Sequence, residues 1–357
     1  MRKLLASLLT VVFFISLAGC SSISNSTTST PSASSLPASG SYSEEVIMGT
    51  ISHEATNPNR DQQGNLLPWI YDGEEVYLEY KVNASGDAKN VGFLMFVDGV
   101  PQPYKINDPS ASAEYMHIFD LQADNVDYPF TFIFTPVTGK QGDTLELTIA
   151  SIYYPEFKPN MQDTFGYFGY HALLSAVSPI EFHADAPTHN DVPSSIMASV
   201  RTATEPVSEE LLDSIREATW RDDIGLDTLN TDVFNLTYIN GGLSLGDNYY
   251  IGTNGSVTMD YLICGVAGIE YTTTFYINHQ PVTTSEGISF DTVLEEGVVS
   301  RITLTLNCDQ IEDYSTFYAI SVPKNATSTP DIIWNPLKAP STLLYKHETQ
   351  QQGATHV

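Results

Sequence analysis

Two histidines and two aspartates fall within nine residues: His183, Asp185, His189 and Asp191 in "HADAPTHND". Imidazole and carboxylate groups at such spacing are ligands for zinc or another transition metal. The segment also carries Pro187 and reads as a linker, whereas a metal site needs a rigid frame. We therefore read it as a polar loop and assign no metal. Two other segments are rich in oxygen donors. Asn57, Asn59 and Asp61 alternate in "NPNRDQQGN", and Asp120, Asp124, Asn125 and Asp127 cluster in "DLQADNVD". Either loop has donors for calcium, but the first lacks the sixth-position glycine and twelfth-position glutamate of a calcium loop. No cofactor is expected, with calcium the one secondary candidate. The acids Glu44 and Glu45, Glu74 and Glu75, and Glu295 and Glu296 are sequence neighbours. On strands, neighbours point to opposite faces and make no catalytic pair. Phosphate-loop, zinc-protease and dinucleotide motifs are missing from the sequence. No catalytic residue is assigned, and a non-enzymatic protein is expected.

The remaining chemistry is aromatic. The chain has 20 Tyr, 16 Phe and 3 Trp. They are densest at Tyr153, Tyr154 and Phe157, and at Phe165, Tyr167, Phe168 and Tyr170. Exposed rings there would suit a sugar or a protein partner, and packing within the fold is the alternative use. The same holds for the stretch from Tyr104 to Tyr115. Cys264 and Cys308 either form a disulfide or remain two buried thiols.

Something must position these groups, and the patterning says strands. Val76 to Val82, Tyr128 to Phe134 and Leu145 to Ile149 mix β-branched, aromatic and polar residues between Gly, Pro, Asn and Asp. The stretch "FVDGVP" (Phe96 to Pro101) returns as "YINHQP" (Tyr276 to Pro281). Its flanks match as well. Tyr80 to Pro101 spans 21 positions and Tyr261 to Pro281 spans 20; Phe119 to Asp143 spans 24 and Phe290 to Asp313 spans 23. The exception is an insertion, Gln102 to Tyr115. Asp98-Gly99 and Asn278-His279 suit a hairpin turn with positive φ, and the following prolines suit an edge strand.

We therefore expect an all-β chain of two tandem antiparallel β-sandwich modules, 44–185 and 229–325, immunoglobulin-like in architecture. A linker, 186–228, joins them and an irregular tail, 326–357, follows. In the linker Ser208 caps a short helix, with Leu211, Ile215 and Ala218 on one apolar face, and this helix is expected to set the angle between the modules.

The N-terminus has its own pattern. Arg2 and Lys3 precede an apolar run, Leu4 to Leu17, too short to span a bilayer as a helix. It ends in Leu17-Ala18-Gly19-Cys20, which resembles the lipobox of bacterial lipoproteins. That resemblance implies a signal peptide, 1–19, a lipid on Cys20 and an extracytoplasmic, membrane-anchored protein. A tether rich in Ser, Thr and Pro follows, 20–43. The net charge is −28, which argues against nucleic acid as a partner. The expected partners are the membrane, through the lipid, and an envelope protein or a glycan.

Overall fold

The computed structural model describes residues 49–64, 66–161, 166–167, 169–187, 196–324 and 335–347. Cys20, the leader and the tether lie outside them, as do Phe165, Phe168, His189, Asp191 and Trp334. The described chain is mostly β-strand, with one α-helix among the described residues.

The first half holds β1 (Gly49–Ala55), β2 (Trp69–Tyr71), β3 (Val76–Gly86), β4 (Asn90–Val97), β5 (Val100–Pro101), β6 (Lys105–Ile106), β7 (His117–Asp120), β8 (Tyr128–Phe134), β9 (Thr144–Tyr153) and β10 (Leu173–Phe182). Sheet one runs β1-β3-β8-β6. Sheet two runs β2-β10-β9-β4-β5, with β7 also paired to β4. Alternation explains the pairing. Val76, Leu78, Tyr80 and Val82 of β3 point inward and are buried, while Tyr77 and Glu79 point out. Between the two sheets a core forms around Tyr80, Phe93, Phe130 and Phe132, with mostly edge-on or tilted ring contacts.

The second half opens with β11 (Met197–Pro206) and α1 (Glu209–Thr219). It continues with β12 (Val233–Ile239), β13 (Gly242–Ser244), β14 (Asn248–Tyr250), β15 (Ser256–Gly265), β16 (Glu270–Ile277), β17 (Gln280–Pro281), β18 (Thr283–Thr284) and β19 (Ser289–Val293). Last come β20 (Val298–Asn307), β21 (Tyr314–Pro323), β22 (Leu337–Lys338) and β23 (Thr342–Tyr345). Sheet three runs β14-β23-β21-β16-β17, with β19 and β22 on its flanks, and sheet four runs β13-β12-β15-β20-β11-β18. The pairing scheme of the first half recurs. β2 lies parallel to β10 as β14 lies parallel to β23, and β7 pairs β4 as β19 pairs β16.

Two boundaries differ from expectation. The segment read as linker contains β11, a ten-residue strand inserted between β20 and β18. The segment read as tail contains β22 and β23, with Leu343 and Leu344 fully buried. The helix is where its pattern puts it, with the Ser208 side chain accepting from the Leu211 amide. Its apolar face, Leu211, Leu212 and Ile215, lies on the outer side of sheet four against Phe234, Leu236 and Leu262. It touches no residue of the first half in that cluster, so it does not set the angle between the halves.

That angle comes from a fourth apolar cluster. Leu94, Phe96, Ala150 and Ile152 leave the outer face of sheet two and meet Tyr276, Tyr318, Ile320 and Val322 from sheet three. The order of layers is thus sheet one, sheet two, sheet three, sheet four, helix. β4, β16 and β21 are covered on both faces, which is why nearly every residue in them is buried.

Candidate functional site

The two hairpins of the repeated motif meet across this seam. Asp98 and Gly99 have φ of 50° and 78°, and Asn278 and His279 have 47° and 65°. That geometry matches the turn read from their sequence. Each turn reaches the other half. A Cβ added to Gly99 would lie 2.7 Å from Thr272 Cβ, and Asp98 pairs with Lys324 at 3.4 Å. In return, His279 hydrogen-bonds through Nε2 to the Pro155 carbonyl at 2.8 Å and through Nδ1 to the Tyr318 hydroxyl at 3.0 Å. Donation to the carbonyl fixes Nε2 as the protonated nitrogen, leaving Nδ1 to accept.

The aromatic segment singled out in the sequence lies at this seam. Tyr167 is only 3% exposed, and its hydroxyl bonds Thr316 Oγ1 at 2.6 Å. It therefore offers no ring to a ligand. Tyr153, Tyr154, Phe157 and Tyr170 are half-buried. Phe157 and Tyr170 stack at 3.6 Å between centroids, and Tyr153 stacks on Tyr170 at 5.7 Å. Around them, Lys158 Nζ donates to the Tyr314 carbonyl and Asn248 Nδ2 to the Asn160 carbonyl. These rings have mutual packing as a main use. Tyr104 and Tyr115 of the insertion are buried too. The Tyr104 hydroxyl donates to the Phe93 carbonyl and accepts from the His117 amide.

Burial depresses the seam's bases. It pushes His171 down to about 2, assisted by Lys338 and His279, and His279 down to about 4. The Lys338 ammonium, above the Tyr318 ring at 4.7 Å and bonded to Ser341 Oγ at 2.8 Å, falls to about 7 through burial. In the first half, His53 falls to about 4 by burial against Tyr80 and Phe93.

The other candidates are structural. Among the described residues no cluster of three or more metal-ligating side chains forms. His183 pairs with Glu181 at 3.0 Å, and Asp185 accepts from the Gln141 amide. Asp61 caps its own turn through the Gln63 amide. Asp120 accepts from Asn90, Asp124 pairs with Lys89, and Asp127 binds Lys81 and Asn83. Their oxygens serve cations and amides of the protein. Cys264 and Cys308 are free, buried thiols, not a disulfide. Cys264 sits beneath the helix and Cys308 between sheets three and four, on opposite faces of sheet four. Burial pushes the Cys264 thiol up to about 12, so it is inert.

One open feature was not singled out in the sequence. A groove of about 380 Å³ lies on the outer face of β3, lined by Asn57, Trp69, Tyr77, Glu79 and Thr131.

The structure is thus an all-β assembly of four stacked sheets. No family model matches the chain and no curated protein does. Among solved structures, the C-terminal domain of the AgI/II polypeptide BspA from Streptococcus agalactiae is similar at 8% identity, over 83% of this chain and 100% of that one, with a TM-score of 0.21. A protein of unknown function from Porphyromonas gingivalis W83 is similar at 7% identity, over 78% of this chain and 94% of that one, with a TM-score of 0.18. Likeness at this level carries no functional argument, so the reading below rests on the residues.

Proposed function

We propose that this chain is a bacterial lipoprotein, anchored to the cell membrane through Cys20 and extracytoplasmic. Its body is two copies of one immunoglobulin-like sandwich module. It serves as a non-enzymatic binding or spacer component of the cell envelope. The observation that carries the body's role is the seam. Hairpins, a shared apolar cluster and reciprocal hydrogen bonds join the two halves into one stiff block. His279 is spent in that packing, and His53 in the core of the first half. A stiff block on a Ser/Thr/Pro-rich tether suits presenting a surface at a distance from a membrane.

Detergent phase partitioning tests the anchor. The chain made in a bacterial host should enter the detergent phase, and Cys20→Ala should stay aqueous. Retention of Cys20→Ala in detergent would overturn the anchor.

A second reading is a glycan-binding surface lipoprotein. The Tyr/Phe-rich segment of the first half was its expected site, but the rings described there are engaged in the seam or with each other. The groove on β3 is the open surface that supports this reading instead.

A further inference from the structure

We propose that the groove on the outer face of β3 binds a neutral oligosaccharide. This rests on the glycan-binding reading and gives it a site. The lining combines two kinds of group. Tyr77 is 55% exposed, and Trp69 supplies a second ring at the edge of sheet two. Between and beside them stand a carboxylate, an amide and a hydroxyl, from Glu79, Asn57 and Thr131. A pyranose presents a C–H face, which packs on an aromatic ring. It also has a rim of hydroxyls, which donate to carboxylates and exchange hydrogen bonds with amides and alcohols.

The groups are held in place before any ligand arrives. Trp69 Nε1 donates to Ser178 Oγ at 3.1 Å, which fixes the indole. Glu79 accepts from Asn57 Nδ2 and from Thr56 Oγ1, which fixes the carboxylate. Strand pairing puts Thr131 opposite Glu79. Such preorganisation lowers the entropy cost of binding. The volume lies at the small end of the range for ligand sites, which fits one or two sugar rings of a longer chain.

Charge selects among glycans. Glu79 lies in the groove on a chain of net charge −28, and the nearby Lys105 is neutralised by Glu75 at 2.6 Å. An acidic polysaccharide would be repelled, which sets acidic glycans aside. The groove is also remote from Gly49, the first described residue. Gly49 pairs with Gly86 at one end of β3, and Tyr77 sits at the other.

The test is titration of the full chain in detergent micelles with cellohexaose, chitohexaose and polygalacturonate, followed by tryptophan fluorescence and calorimetry. At least one of the two neutral hexasaccharides should shift the emission and saturate. Tyr77→Ala and Glu79→Gln should each weaken that binding about tenfold or more. Trp220→Phe, at the 92% exposed end of α1, should leave it unchanged. The urea midpoint of each variant should equal that of the wild type, since Tyr77 and Glu79 point outward. Three outcomes would overturn the proposal: no saturable binding of either neutral hexasaccharide, binding untouched by Tyr77→Ala, or tighter binding of polygalacturonate. Displacement of the sugar by an apolar peptide that binds more tightly, through the exposed Leu66 and Leu67 just before Trp69 in the chain, would also overturn it. None of these outcomes bears on the Cys20 anchor, which the partition experiment tests separately.

Discussion

At the scale of single residues, buried histidines at the seam and in the first half's core store a pH dependence. His279 and His53 have native pKa values of about 4 and His171 of about 2, all through burial. An unfolded histidine titrates near 6.5. Below that value the unfolded chain takes up protons that the native chain refuses, so stability falls as pH falls. The loss starts near pH 6.5 and continues to about 4 for His279 and His53, and further for His171. Asp98, whose carboxyl is raised by burial, opposes the trend. Between pH 7 and 5 each histidine should cost ~1–2 kcal/mol. Urea midpoints across that range should decline, and His279→Gln should decline less steeply. A flat profile, or one unchanged in the variant, would contradict this account. The sequence marks His279 only as a turn residue. Its burial follows from a contact with Pro155, 124 positions away, which no local pattern encodes. Tyr77 was more legible: the alternation in "VYLEYKV" already points it outward, but nothing in the strand announces that Trp69 lies beside it.

At the scale of elements, the repeated hairpin was the most legible part of the fold. "DG" and "NH" suit a tight hairpin turn with positive φ, and the turns have it. What the motif does not reveal is that each turn is also a contact. Gly99→Ala and Gly142→Ala separate the two roles. Both glycines have positive φ, at 78° and 94°, but a Cβ at Gly142 meets nothing within 4 Å. Gly142→Ala should cost ~1 kcal/mol of backbone strain, and Gly99→Ala a further ~1–3 kcal/mol from the clash with Thr272. Chemical denaturation of the two variants checks it, and equal losses would remove the contact from the explanation. β11 was misread as linker for an equally physical reason. Its sequence, "MASVRTATEP", is mostly exposed and lacks clean alternation, because it lies outside the apolar centre of sheet four.

At the scale of the whole molecule, the seam predicts cooperativity. Each half has its own core, yet both contribute to the shared cluster around Phe96 and Tyr276. Calorimetry should therefore give one unfolding transition. Phe96→Ala removes a ring that faces the other half, not its own core, and should cost ~3–5 kcal/mol and split the transition in two. Two transitions in the unmodified protein would show that the seam is weak. The mostly apolar run "NVGFLMFV", buried throughout, is the kind of sign a sequence holds of this layer. Such a run says that both faces of a strand are covered without naming the cover.

The seam also has a symmetry. Phe96 in the first half and Tyr276 in the second occupy matching places in the repeated motif, and both lie in the shared cluster; each half sends its own turn into the other. A face that fits a near copy of itself is close to isologous. Either half released alone would carry a surface made to receive something very like that half. The covalent link between them keeps a partner always at hand, and so keeps that surface from finding one on a neighbouring molecule.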